Sequence, residues 1–106
     1  MNVGTEQIKA VGETLPLVVN FSDDLQFGET INGASCNVTV FSGTDAFPSS
    51  IISSAATYDA SGNVTQQVTA GVAGVIYNVV FIVTASGGHN YVKLARLAVV
   101  ANDLTY

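Results

Sequence analysis

The strongest hydrophobic signal lies in residues 71–101, GVAGVIYNVVFIVTASGGHNYVKLARLAVVA, where two long apolar runs, 75–85 and 91–101, flank Ser86-Gly87-Gly88-His89-Asn90. Val, Ile, Tyr and Phe crowd the first run and Val and Leu the second, so the pair predicts a β-hairpin that closes a sheet. In the first run Tyr77, Val79, Phe81 and Val83 share one face, while Ile76, Val80 and Ile82 fall on the other. A sandwich strand turns one face to the core, so the second apolar face is expected to meet a partner subunit or a covering arm.

Upstream, Leu15, Leu17, Val19 and Phe21 fall on one face with Pro16, Asn20 and Ser22 on the other, the period of a half-buried strand, and Pro16 marks a strand start or an edge. Cys36, Val38 and Val40 alternate with Asn37 and Thr39 across residues 35–42, and Val64, Gln66 and Val68 alternate with Thr65, Gln67 and Thr69. Residues 51–58, rich in Ala and Ser, read as a weak strand. Asp59-Ala60-Ser61-Gly62-Asn63 is a turn by composition. Residues 1–13 read as an irregular arm with a short strand around residues 6–11. The expectation is one domain, 1–106, an all-β antiparallel sandwich of about seven strands, immunoglobulin-like, with no disulfide. Tyr77 at the entry of the long strand is similar to a tyrosine corner, and a tyrosine simply packed in the core fits the same position.

Composition adds one constraint. Charged residues make up 10% of the chain, well below the about 25% usual for a soluble domain. A surface so poor in charge suits contact with other subunits, where charged groups are costly to desolvate. The net charge is -5 with three basic residues in all, which argues against partners that are nucleic acid or anionic membrane. The first residues lack the basic and apolar regions of a signal peptide, so synthesis in a cytosol-like compartment is expected. The single cysteine, Cys36, has no partner for an internal disulfide.

Candidate chemistry is sparse. His89 in the Gly-Gly loop reads as a solvent-exposed histidine, and Cys36, in register with Val38 and Val40, as a small buried residue. Asp23, Asp24 and Glu29 form the one local carboxylate cluster and are the candidates for holding a Ca²⁺ ion. They lack the D-x-D-x-D spacing of a dedicated loop, and turn-forming aspartates with a solvated glutamate are the favoured reading. No serine stands in a G-x-S-x-G context, and the Gly71–Gly74 stretch has no following lysine or helix to cradle phosphate. No catalytic residue, metal or cofactor is assigned, and a structural or binding module is expected. The residues picked for an interface are Val80 and Ile82 on the second apolar face, with Phe47 and His89 in loops.

Several pieces in series resemble a family of small tailed-phage virion proteins, the fiber–tail adaptors. These are Phe21-Ser22-Asp23-Asp24-Leu25 with Gly28-Glu29-Thr30-Ile31, then Ser42-Gly43-Thr44-Asp45 and Pro48-Ser49. Gly71-Val72-Ala73-Gly74-Val75-Ile76-Tyr77, Val83-Thr84-Ala85-Ser86-Gly87 and Leu97-Ala98-Val99-Val100 complete the series. The resemblance implies a non-enzymatic virion component with an immunoglobulin-like sandwich, present in several copies at the tail, joining a tail or nozzle protein to a fiber. Its partners would be those virion proteins and copies of itself. Two other readings keep different locations: a capsid decoration or cement protein with the same fold, and a carbohydrate- or surface-binding module, which the absence of Trp disfavours.

Overall fold

A computed structural model describes residues 2–101. Seven strands run in the order β1 (Asn2–Ala10), β2 (Leu15–Asn20), β3 (Ile31–Ser42), β4 (Thr57–Tyr58), β5 (Asn63–Val68), β6 (Ile76–Ala85) and β7 (Asn90–Val100), with one 3-10 turn at Pro48–Ile51. They form two sheets, β1-β7-β6-β3 and β2-β5-β4, faced against each other as an all-β sandwich. Cys36 is free, so no disulfide staples the layers.

The alternation along β6 explains the arrangement. Tyr77, Val79, Phe81 and Val83 are fully buried and meet Leu17 and Val19 of β2 and Val64 and Val68 of β5 in one core, together with Phe21, Ile51, Leu97 and Val99. Each such side chain contributes about 1.5–3 kcal/mol by leaving water. β6 is long and central, paired along its whole length with β7 on one side and β3 on the other. The two apolar runs and their Gly-Gly loop therefore form the expected hairpin.

Three local expectations are corrected. The arm expected over residues 1–13 is mostly strand: β1 lies parallel to β7, from Asn2 opposite Lys93 to Ala10 opposite Val100, the one parallel pair in the molecule's described residues. The strand expected to begin at residue 35 begins at Ile31 and carries irregularities near both ends. The weak strand expected over 51–58 is broken. Ile51 ends the 3-10 turn, Ile52 makes an isolated bridge to Val68, and only Thr57–Tyr58 pairs with β5. Pro48 sets the start of that turn, and the small, polar 53–56 stretch offers no alternating face to lay on the core.

A lysine occupies the core end of β1. Lys9 is buried, and its Nζ donates to the carbonyl oxygens of Ala10 at 2.8 Å and Ala70 at 2.6 Å. Burial pulls its pKa below the ordinary lysine value, opposed by the nearby Glu13 carboxylate. Tyr77 is the other polar anchor. Its ring is buried, and its hydroxyl accepts the Val72 N–H at 2.8 Å, five residues upstream, while donating to Asp45 Oδ2 at 2.7 Å. The hydroxyl thus ties the loop before β6 and the loop after β3 to a ring that packs in the core.

Candidate interaction surface

The outer face of the four-stranded sheet carries the second apolar row. Val80 and Ile82 are half-buried on β6, and their register partners on β7 are Leu94, which is buried, and Val92. Val92 is exposed, as is Ile8 on β1. On the β3 side the same face turns polar, with Ser35, Asn37 and Thr39 opposite Ile82, Val80 and Asn78. The ribbon of uncovered apolar surface therefore follows the β6–β7 pair.

At one end of this ribbon lies a cleft of about 370 Å³ lined by Gln7, Ile8, Phe41, Ile76, Arg96 and Ala98. The Arg96 guanidinium lies 3.7 Å above the Phe41 ring, a cation–π stack, and its Nε donates to Asn78 Oδ1 at 3.4 Å. Sequence reasoning missed both residues. Phe41 directly follows Val40 of the inner row, so period two already puts it on the outer face, and the register shifts between Val40 and Ser42.

The loops gather at the two ends of β3. At the end where Ile31 pairs with Ala85, the β2–β3 loop, the β4–β5 turn and the β6–β7 hairpin meet. Here Glu29 is the hub. Its Oε1 accepts the Gln26 N–H at 2.8 Å and the Tyr91 hydroxyl at 2.7 Å, and its Oε2 lies 2.8 Å from His89 Nδ1. The bond to His89, the Gln26 N–H and the Tyr91 hydroxyl hold the Glu29 carboxyl down at about 2. Tyr91 is correspondingly raised by the same carboxylate and by burial. His89 is half-exposed, as expected of a loop histidine, but it is tied to Glu29.

The three carboxylates proposed for a metal do not converge. Glu29 is engaged as above, Asp24 pairs with Lys93 at 2.9 Å, and Asp23 is exposed. Among the described residues no three His, Cys, Asp or Glu side chains gather closely enough to hold an ion. Cys36 sits on the inner row of β3, opposite Phe81, and desolvation pushes its thiol up to about 12, far from a reactive thiolate.

At the opposite end of β3, Phe47 is exposed in the loop leading to the 3-10 turn. Its N–H donates to Asp45 Oδ1 at 2.8 Å, the carboxylate that Tyr77 also grips. Phe27, which sequence reasoning treated only as part of a turn, stands at the tip of the β2–β3 loop with its side chain wholly in solvent. Of the four residues picked for an interface, Val80 and Ile82 share the outer face, His89 lies at one end of the sheet and Phe47 at the other. The structure presents three surfaces rather than one patch.

No individual curated protein matches the sequence. The family model described as podophage GP4 fiber-tail adaptor protein gp77 matches residues 9–97, a span that runs from the end of β1 through most of β7 and takes in both loop clusters and the outer face. This chain belongs to the podophage GP4 fiber-tail adaptor protein gp77 family.

Proposed function

We propose that the chain is a non-enzymatic structural protein of the phage virion that joins the tail, at its nozzle, to the tail fibers. The match to an adaptor family over residues 9–97 carries the reading. The surface supports it: the β6–β7 ribbon of Val80, Ile82 and Val92 lies uncovered on a chain with few charges. Copies of the chain pack side by side through this ribbon, with the symmetry of the tail, and the loops at the ends of the sandwich meet the other virion proteins. Basic groups play little part in recognition, since Lys9 is buried, Lys93 is paired with Asp24 and Arg96 is stacked on Phe41, so nucleic acid and anionic membrane are poor partners. The protein is made in the host cytoplasm and resides at the virion tail.

The test is a phage from which this gene is deleted. Particles with filled heads and tails but no fibers, restored when the protein is supplied in trans, are the expected result. Particles that keep their fibers without the protein would overturn the reading, and recovery of the protein on isolated heads would favour a capsid decoration role in its place.

A further inference from the structure

β3 and its partner β6 are paired from Ile31↔Ala85 to Ser42↔Ile76, so the loops before and after β3 lie at opposite ends of the molecule. Twelve residues at about 3.3 Å each put those ends roughly 35 Å apart. Each end carries one exposed phenylalanine on a loop: Phe27 is fully exposed and Phe47 is 75% exposed. Neither ring is among those packed in the core.

The two loops are fastened in the same way. In each, a carboxylate bonds a backbone N–H beside the phenylalanine and is itself gripped by a tyrosine hydroxyl from the central hairpin. Glu29 takes the Gln26 N–H and the Tyr91 hydroxyl, and the Glu29 N–H returns a bond to the Gln26 carbonyl at 2.9 Å. Asp45 takes the Phe47 N–H and the Tyr77 hydroxyl. Tyr91 and Tyr77 sit at the starts of β7 and β6, antiparallel neighbours, and that is why one reaches each end.

A ring that stays in water while its turn is held by several hydrogen bonds is pre-set for burial in a partner. The ordering cost of the loop has been met in folding, so little is subtracted when the ring enters a pocket. Large, rigid aromatics of this kind carry a disproportionate share of interface energy. We infer that the protein grips end-on, with Phe27 as the anchor for one partner protein and Phe47 as the anchor for a second, different one. This rests on the adaptor reading above and adds the residues and the geometry of the bridge.

The chemistry of each partner follows. Each presents an apolar pocket deep enough for a phenyl ring. The pocket for Phe27 has a basic rim, because that end also carries Asp23 and Asp59, neither of them ion-paired among the described residues. Asp59 borders a cleft with Thr30, Ile31, Tyr58 and Ala60.

The experiment measures binding of the purified protein to adaptor-free tails and, separately, to isolated fibers of the same phage. Phe27→Ala and Phe47→Ala are compared with wild type, after confirming that thermal unfolding is unchanged. Each variant is expected to lose at least about tenfold in affinity for one of the two and to bind the other as wild type does. The affinity lost with Phe27 should also be the one that falls as salt rises. If both variants bind both targets at wild-type strength, or both lose the same target, the end-on grip is wrong while the adaptor reading stands. Wild-type protein that binds neither tails nor fibers would instead remove the adaptor reading itself. A Phe27-dependent affinity indifferent to salt would remove the basic rim.

Discussion

Glu29 shows how much of this molecule's order rests on single polar contacts. Its carboxyl is held at about 2 against an ordinary 4.5, and a carboxyl depressed on folding stabilises the fold where it is ionised. The contribution is complete above 4.5 and is lost as pH falls from there to about 2. In urea unfolding, the midpoint gap between wild type and Glu29→Gln should therefore be constant near neutral pH and should close across that window. A gap independent of pH would mean that the carboxylate's charge is not what fastens the loop. Little of this was visible beforehand. The sequence presents Glu29 as a solvated member of an acidic loop, and its partners His89 and Tyr91 lie about 60 positions away, joined to it only by the pairing of β6 with β3 and β7. Phe27 was missed for a related reason: sequence displays an aromatic residue, but whether the fold covers it is decided elsewhere in the chain.

Elements were legible to the degree that their residues alternate. β2 and β5 keep period two against one core, and their positions follow from that pattern, while β6 and β7 stand out as two long apolar runs either side of a Gly-Gly loop. β1 has no such pattern, because Asn2–Ala10 mixes polar and apolar residues and puts a lysine where a core residue is expected. What makes it a strand is its pairing with β7, and that appears only once the fold exists. The 51–58 stretch misled for the opposite reason, since β-branched residues open it but it lacks an apolar face. Between elements, the connection 69–75 is tightly drawn. Gly71 has φ +98°, and a Cβ there would sit 2.8 Å from Val99 Cγ2 and 3.0 Å from Ile51 Cδ1, both in the core. Gly71→Ala adds overpacking to backbone strain and should cost about 3 kcal/mol in denaturant unfolding. Gly28 has φ +82° and open space around it, so Gly28→Ala should cost about 1 kcal/mol, the strain alone. Equal losses at the two sites would mean that the close approach at Gly71 relaxes freely.

At the scale of the whole molecule, the low charge of the chain and the uncovered β6–β7 ribbon describe one property. Light scattering on the purified protein should give a mass that rises with concentration, and Ile82→Asp should hold it at the monomer mass while leaving the fold intact. A wild-type protein that stays monomeric throughout would mean that Ser, Thr and Asn solvate this face well enough and that lateral packing needs the tail as a template. The end loops are independent of that outcome, since they lie beyond the ribbon at either end of β3.

The parallel pairing of β1 with β7 has a further consequence for how the protein is made. Asn2 finds its partner Lys93 about 90 positions later, so β1 leaves the ribosome well before the strand it pairs with has been made. β2 and β5, or β3 and β6, close far shorter loops and can pair during translation. The four-stranded sheet gains its first-made strand last, after β7 has been synthesised. Until then β1 is an unsatisfied strand beside neighbours of identical sequence on the same message. In a host cell making many copies at once, that waiting period is when a strand from one nascent chain is most open to exchange with another.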